Sequence, residues 1–420
     1  GAGYTIDNHI SSKALKASLA ESNNADATTQ STSTEQQLTD SSQSNLPEVK
    51  LTFTGDITLS GSVKRYVKDK LDGDYEKIFG AAKPILQKGD ITFGTFNGTF
   101  GINDSNRTET KSMTALRNAG FDILGTSFAG ANRTVKNLIE TTLTIDGNGL
   151  NHSGAGRDYK SAREPQLIEK NGVTVGYLTF TDNKKDWPLA TEADAGLLWA
   201  NDPQIEEIIA SAKAKSDVLV VSFNWADKAT THTLRQELLA RTAIDSGATI
   251  VVGHLGNNLH DIEYYQGGLI AYNIGSLVSD TGSKPNGIQG IILETGIRGG
   301  VINTVAAYGV IENKNGVIES VSPVSMESLI REKGVINAQP EDIVKTLPSY
   351  VASEIITRVP SATHDGSTSN KVAITIDDGW SPNMVKRALD ILATKNAKAT
   401  FFTVGSITDA NRVLPFRVKC

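Results

Sequence analysis

The stretch Lys50-Leu51-Thr52-Phe53-Thr54-Gly55-Asp56 predicts a β-strand that ends in Gly-Asp, and it opens the largest folded region of this 420-residue chain. Similar apolar runs follow it and predict further strands at 91–97, 120–126, 173–180, 217–223, 248–252, 268–274 and 290–293. Predicted helices lie between them at 75–89 (broken or kinked near Pro84), 135–143, 203–214 and 234–246, and a hairpin is predicted around residues 313–316. This alternation predicts an α/β fold, with a largely covered sheet and helices on its faces.

The composition is that of a soluble globular protein, with 39% hydrophobic and 21% charged residues. The net charge of −6 and the lack of a basic stripe argue against a nucleic-acid partner. The single cysteine, Cys420, cannot form an internal disulfide, and this leaves the cellular compartment open. No stretch of the sequence is long and apolar enough to predict a membrane span.

Residues 20–48 form a polar, low-complexity tract that cannot build a core. Two interpretations stand side by side: a stalk that holds a globular body off the cell surface, or a disordered tail without a specific role. Because the chain starts at Gly1, we expect that a signal or anchor segment was removed and that the protein is extracellular or cell-surface. The predicted domains are a tail (1–48), a large α/β domain (49–320), a helical connector and linker (321–370) and a C-terminal piece (371–420).

Several landmarks of the large domain resemble the CapA family, named for its role in making capsules of poly-γ-glutamate. They are residues 51–56, 89–94, 120–122, 152–156, 247–254 and 272–275, in that order. The resemblance covers roughly residues 49–310. It implies a metallophosphoesterase-type α/β sandwich flanked by helices, with a metal site at the strand ends.

The polar residues at the family's metal positions are only partly retained here. The resemblance places a residual site at Asp56, Asn97, Asn224, His254 and Asn257. Most of the expected ligands are replaced in five motifs of the family. Asn-x-Glu falls on residues 97–99, Asn-Asn-His on 128–130, His-Trp-Gly-x-Glu on 224–228, His-Pro-His on 255–257 and Leu-Gly-Asn on 274–276. One carboxylate with several amides is a weak metal site. We therefore expect a fold that was retained after its catalytic centre was lost.

The C-terminal piece contains two apolar runs, 372–379 and 397–405, that predict strands, and the first strand ends in Asp377-Asp378. Ser381, Pro382 and the apolar spacing that follows them predict a helix between the strands, and so a βαβ unit. Together these runs resemble the opening of the NodB-type polysaccharide deacetylases, which fold as a (β/α) barrel. The resemblance implies that Asp377 is the general base and that Asp378 is a ligand of a divalent metal, usually zinc. The alternative is that the two carboxylates merely end a strand and cap a turn.

None of the six histidines follows residue 371, so the family's His-x-x-x-His motif is absent and the zinc site would be incomplete. We expect that the chain carries the first part of a deacetylase domain, that this part is inactive and that it binds no metal. A second polar group, His260, Asp261 and Glu263, is interpreted as a polar loop that leads into the strand at Gly268 and not as a metal site.

Three functions are compatible with these features. The first is a cell-surface protein that binds an envelope polysaccharide or a poly-γ-glutamate-like polymer, with membrane-anchored assembly partners, in a parent whose deacetylase removes N-acetyl groups from a glycan. The second is a scaffold with both halves inactive. The third is a CapA-like metallohydrolase with an unusual ligand set.

Overall fold

The computed structural model describes the residues 4–5, 46–101, 107–126, 134–182, 187–226, 229–254, 256, 258–280, 287–330, 374–377 and 399–402. The chain divides into two compact units. One consists of Gly1–Ala200 and Glu207–Lys333, and the other of Asn201–Glu206 and Gly334–Cys420.

The strands within the described residues, in chain order, are β1 (Tyr4–Thr5), β2 (Glu48–Ile57), β3 (Ile91–Phe96), β4 (Ile123–Gly125), β5 (Asn151–Ser153), β6 (Ala155–Gly156), β7 (Gln166–Lys170), β8 (Val173–Thr181), β9 (Gly196–Leu197), β10 (Val218–Asn224), β11 (Ile250–His254), β12 (Ile262–Tyr265), β13 (Gly268–Ala271), β14 (Ser276–Val278), β15 (Gly290–Arg298), β16 (Val301–Glu312), β17 (Ile318–Val324), β18 (Ile374–Asp377) and β19 (Ala399–Phe402). The α-helices are α1 (Gly61–Lys70), α2 (Lys83–Leu86), α3 (Lys111–Ala119), α4 (Val135–Gly147), α5 (Tyr159–Ala162), α6 (Ile205–Lys213) and α7 (Leu234–Asp245). Short 3₁₀ helices cover Tyr75–Ile78 and Met326–Ser328.

The first sheet has nine strands and combines a parallel half with an antiparallel half. β2, β3, β4 and β5 are parallel neighbours, and β14 also runs parallel to β2. On the other side of β2, the strands β15, β16 and β17 form an antiparallel meander. The predicted hairpin is confirmed in its turn between β16 and β17, where Gly316 takes a positive φ of 78°.

The second sheet has six strands in the order β12-β13-β11-β10-β8-β7. Its four central strands are parallel, and an antiparallel strand closes each edge. β6 and β9 form a separate antiparallel pair. The large unit is thus a mixed α/β structure, which confirms the predicted class.

The main hydrophobic core fills the space between the two sheets. Phe53 and Phe93 of the first sheet meet Tyr177 of the second, and the rings of Phe93 and Tyr177 stack at 5.8 Å. These side chains are almost fully buried, and each contributes roughly 1.5–3 kcal/mol through the area it removes from water. The two sheets therefore form a sandwich whose inner faces make one continuous core.

A second core lies on the outer face of the first sheet, under α1, α3 and the 3₁₀ helix at Tyr75–Ile78. Strand residues such as Ile57, Phe96 and Leu124 point to this side, opposite to Phe53 and Phe93. On the second sheet, α7 packs against β11 and β13. Helices thus cover both outer faces, as the alternating pattern predicted.

Several predicted elements need correction. The helix predicted at 75–89 is a 3₁₀ turn followed by α2, because Pro84 lacks an N–H and fits only the first turn of a helix. The strand predicted at 120–126 is shortened to β4, because Gly120 ends α3 with a φ of 115°. In the described part of the predicted helical connector (321–370), the helical residues are the 3₁₀ turn Met326–Ser328. The helices α1 and α3 were not predicted.

At the chain ends, the structure describes only short strands. β1 pairs antiparallel with β16, and residues 20–45, with the stalk or disordered tail predicted there, lie outside the described residues. In the second unit, β18 and β19 are parallel neighbours, as the βαβ prediction requires, and the predicted helix between them lies outside the described residues. No helix in the described part of the chain is both long and apolar enough to cross a membrane.

Candidate functional site

The space between the sheets changes from apolar to polar towards the carboxyl ends of the parallel strands. Along β10, Val218 and Val220 belong to the core, and Ser222 and Asn224 follow on the same face because side chains alternate along a strand. Thr95 follows Phe93 of β3 in the same way, and His254 follows Val252 of β11. With Asp56 of β2, these residues form what we call the polar end: Asp56, Thr95, Ser222, Asn224 and His254.

An irregularity in β2 turns Asp56 towards the second sheet. Phe53 belongs to the inner core and Ile57 to the outer one, although a regular strand would place residues four apart on the same face. The pairing of β2 with β3 shifts register between Phe53 and Asp56, as at a β-bulge. Gly55 permits the shift, because a Cβ there would lie 1.9 Å from the carbonyl oxygen of Gly275. The result is a carboxylate on the inner side of the sandwich.

Asp56 contacts the chain that follows β11. Its Oδ2 accepts a hydrogen bond of 2.8 Å from the backbone N–H of Gly256. Burial raises the pKa of Asp56 from 3.8 to about 7, and the Gly256 hydrogen bond opposes this rise. Asp56 is therefore largely protonated below neutral pH.

His254 ends β11 and is fully buried. Its ring centroid lies 5.9 Å from that of Phe93, at an interplanar angle of 41°. Burial lowers the pKa of His254 from 6.5 to about 3, so that the imidazole is neutral throughout the physiological range.

Several buried polar atoms of the polar end have no hydrogen-bond partner in the described part of the protein. They are Oδ1 of Asp56, Oγ1 of Thr95, Oγ of Ser222 and both ring nitrogens of His254. Each such atom costs about 1–3 kcal/mol when left unpaired. Buried polar groups without protein partners are commonly satisfied by ordered water or a bound ligand. The polar end is therefore a candidate binding site.

The residues of the polar end do not fit a multi-ligand metal centre. The described parts of the chain contain no group of three or more His, Cys, Asp or Glu side chains placed to hold one ion. The polar end offers one carboxylate and one imidazole among hydroxyls and an amide. Such donors favour hydrogen bonding to a polar ligand over firm binding of a divalent cation.

Of the predicted site residues, the structure places Asp56, Asn224 and His254 at the polar end. Asn224 and His254 are register partners on neighbouring strands, and Asn224 is 8% exposed. Asn97 directly follows β3, and its backbone N–H donates to the carbonyl oxygen of Ile57 at 2.9 Å. Asn257 lies outside the described residues.

Thr95 and Ser222 were not predicted as site residues. A signal for both was available, because each lies two positions after a core residue of its strand and so continues the buried face. Hydroxyl residues within apolar strands are too common to indicate a site unless neighbouring strands place others beside them.

Arg235 lies near the carboxyl ends of β8 and β10, at the same end of the second sheet as Asn224. Nη2 of Arg235 is 2.5 Å from Oδ1 of Asp182, and the backbone N–H of Asp182 donates to the carbonyl oxygen of Asn224. The side chain of Arg235 is 29% exposed, whereas that of Asp182 is 4% exposed. A partly exposed guanidinium group, paired with Asp182, therefore lies near Asn224.

Of the predicted polar loop, His260 and Asp261 lie in the connection that precedes β12, whereas Glu263 lies in a strand. Residues 262–265 form the edge strand β12, which pairs with β13. Glu263 pairs with Arg241 and accepts from the hydroxyl of Tyr272 at 2.6 Å, while Asp261 contacts His232. The carboxylates of Asp261 and Glu263 contact His232 just before α7, Arg241 on α7 and Tyr272 just after β13.

In the C-terminal piece, Asp377 is the last residue of β18 and is in register with Phe402 of β19. Asp378 lies outside the described residues. The assignments of Asp377 as base and of Asp378 as metal ligand thus stay predictions.

Comparison with known proteins agrees with both resemblances. Residues 50–281 match the model of the family "Bacterial capsule synthesis protein PGA_cap", and residues 364–418 match the "Polysaccharide deacetylase" model. The chain is 28% identical to the capsule biosynthesis protein CapA of Bacillus anthracis, over 56% of this chain and 61% of that protein. It is 29% identical to the PGA biosynthesis protein CapA of Bacillus subtilis, over 55% of this chain and 63% of that protein.

The chain thus spans less than two thirds of the length of these two relatives. Among solved structures, a hypothetical protein from Thermus thermophilus is similar at a TM-score of 0.37 and 14% identity, over 66% of this chain and 98% of that one. A likeness at this level adds nothing to the fold described above. The match to the capsule synthesis model covers more than half of the 420 residues. The chain therefore belongs to the bacterial capsule synthesis protein family PGA_cap.

Proposed function

We propose that this protein acts in making or modifying a polymer of the bacterial envelope, and that its large domain binds the polymer without catalysis. The family and the names of the relatives support the pathway. The observation that carries the binding role is the polar end, where buried, unpartnered polar atoms gather without a set of metal-binding side chains in the described residues.

Arg235, near the carboxyl ends of the strands of the second sheet, favours binding of an anionic polymer such as poly-γ-glutamate. Arg235 is partly exposed and pairs with Asp182, whose backbone N–H donates to Asn224, and a guanidinium can form paired hydrogen bonds with a further carboxylate. The outermost members of the polar end, Asp56 and Asn224, are 7% and 8% exposed, and a ligand would reach these first. The deeper hydroxyls and His254 would bind ordered water beneath it.

The test is binding of poly-γ-glutamate to the full chain by calorimetry, with and without EDTA. We expect binding that is insensitive to EDTA, and Arg235→Gln should weaken it about tenfold through loss of a charged hydrogen bond. Arg298→Gln is the matched control. Arg298 also pairs with a carboxylate, that of Glu48, but Glu48 begins β2 and so lies at the opposite end of that strand from Asp56. Absence of binding by the unmodified chain, or equal effects of both variants, would refute the proposal.

A metallohydrolase with an unusual ligand set is the second candidate. It is favoured by His254, because a neutral imidazole with two unpartnered nitrogens can bind a metal. Elemental analysis of the purified chain decides between the two. A stoichiometric metal that is lost in both Asp56→Asn and His254→Phe would support the hydrolase and contradict binding without catalysis.

We further propose that residues 364–418 carry part of a site for hydrolysing the N-acetyl groups of a glycan. Asp377 would take the proton from the attacking water, and Asp378 would help to hold a divalent metal, which when bound polarises the amide carbonyl. Residues 372–420 contain no histidine to complete such a metal site, so we expect no acetate release from an acetylated glycan by this chain. Acetate release that disappears in Asp377→Asn would show instead that the site is complete.

A further inference from the structure

Two connections frame the polar end. The first connection leads from β10 to α7 and includes the described residues 225–226 and 229–233. The second connection leads from β11 to β12 and includes the described residues 256 and 258–261. Gly256 of the second connection donates to Asp56, and the backbone N–H of Trp225 in the first donates to the carbonyl oxygen of His254 at 3.0 Å. The geometry of the polar end therefore depends on both connections.

His232 joins the two connections. Its Nδ1 lies 2.6 Å from Oδ1 of Asp261, across 29 residues of sequence. A second link runs beside it, where Nε2 of His260 lies 3.1 Å from the carbonyl oxygen of Ala229. Each connection thus contributes one histidine that contacts the other connection. The contact of His232 is to a carboxylate, which is a stronger hydrogen-bond acceptor than a carbonyl oxygen.

The surroundings of His232 fix the orientation of its ring. Its side chain is 9% exposed, and the ring stacks on that of Tyr272 at 4.0 Å with an interplanar angle of 12°. Its Nε2 lies 3.3 Å from Oε2 of Glu237, whose Oε1 is 2.6 Å from Nη1 of Arg241. The hydroxyl of Tyr272 is held in turn by Glu263. A ring clamped on one face and at both nitrogens cannot turn away from Asp261 without breaking this network.

We propose that His232 is a positioning residue, which locks the first connection to the second through its Nδ1 and so sets the shape of the ligand site at the polar end. Nothing in the sequence indicated this role, because Asp261 is 29 residues away along the chain and is brought to His232 only by tertiary packing. That the locked site binds a polymer rests on the proposed function, whereas the lock itself does not.

The two nitrogens of the ring can be replaced one at a time. In His232→Asn the side-chain amide occupies the place of Nδ1 and can keep the bond to Asp261. In His232→Gln the amide occupies the place of Nε2, so the variant can keep the bond to Glu237 and loses the link between the connections. Both variants lose the ring stacked on Tyr272, so each is a matched control for the structural cost of the other.

The test is hydrogen exchange of two backbone amides in the full chain without ligand, followed by binding of poly-γ-glutamate. The reporter amides are that of His260, which donates to the carbonyl oxygen of Asn273, and that of Thr233, which donates to Oε1 of Gln236. We expect His232→Gln to lower their protection and the polymer affinity about tenfold, and His232→Asn to change both by less than about threefold.

Equal loss of protection in both variants, or none in His232→Gln, would overturn the proposal. The hydrogen-exchange and polymer-binding measurements also test this inference and the proposed function separately. If the unmodified chain does not bind the polymer, the proposed function fails, and the exchange measurement still decides whether His232 locks the connections.

Discussion

Asp56 and His254 respond to the same environment with pKa changes of opposite direction. Burial disfavours the charged form of each, so the pKa of Asp56 rises to about 7 and that of His254 falls to about 3. Between pH 4 and 6.5 both side chains are mainly uncharged, so a ligand at the polar end would be held by hydrogen bonds. As the pH rises through 7, Asp56 gains a negative charge that opposes an anionic ligand.

Asp56→Asn should make the large domain more stable at alkaline pH. The folded protein holds the proton of Asp56 more tightly than the unfolded chain, where the pKa is near 3.8, so this stabilisation is complete below pH 3.8 and is lost as the pH rises through about 7. Asn keeps the shape and the acceptor for Gly256 without the charge. Relative to the unmodified chain, the variant should gain at most about 4 kcal/mol more unfolding free energy at pH 8 than at pH 4. Urea denaturation of both proteins at the two pH values measures this.

Glu312→Gln is the control for this experiment. Burial also raises the pKa of Glu312 to about 7, and its Oε2 accepts from the backbone N–H of Ser279 at 2.9 Å. It should change the pH dependence of stability in the same direction, without altering the pH dependence of polymer binding. A gain for Asp56→Asn that is equal at pH 4 and pH 8 would show that the carboxylate does not titrate as described.

His254→Phe should change the acid side of the stability profile. The lowered pKa of His254 means that the unfolded chain binds its proton first, so stability is lost as the pH falls from 6.5 towards 3. Phe cannot titrate and leaves no buried nitrogen without a partner. Relative to the unmodified chain, the variant should gain about 2 kcal/mol in unfolding free energy between pH 7 and pH 5. A denaturant series at these two values that shows the same loss in both proteins would contradict this expectation.

Among the elements, β2 has a strict backbone requirement. Its register shift places Asp56 inward, and Gly55 has no room for a side chain against the carbonyl of Gly275. Gly55→Ala should force β2 away from the segment before β14 and destabilise the domain by roughly 1–3 kcal/mol or more. The measurement is the midpoint of thermal unfolding, together with polymer affinity, because the shift also positions the site.

Gly147→Ala is the matched control for Gly55→Ala. Gly147 ends α4, has no positive φ, and a Cβ there would meet nothing within 4 Å. The same substitution should therefore be neutral or slightly stabilising, since Ala favours helix more than Gly does. If both variants unfold alike, the close approach at Gly55 does not constrain β2.

At the scale of the whole molecule, one sandwich supports both a core and a site. The inner faces are apolar where the strands begin and polar where the parallel strands end, so the same sheets that exclude water also gather Asp56, Ser222 and His254. α/β proteins commonly bind ligands at the carboxyl ends of parallel strands. The contact between His232 and Asp261 joins the two connections just beyond these strand ends.

The sequence by itself determined the α/β class, most strands of the large domain, the hairpin at Gly316 and the parallel pair β18 and β19, because apolar runs and turn residues are local signals. It also placed Asp56, Asn224 and His254 at strand ends. Only the tertiary structure decided that Asp56 faces inward, because that depends on a register shift against β3. It likewise decided that Thr95 and Ser222 belong to the site and that His232 meets Asp261, since those contacts come from separate strands and helices that pack together only in the folded protein.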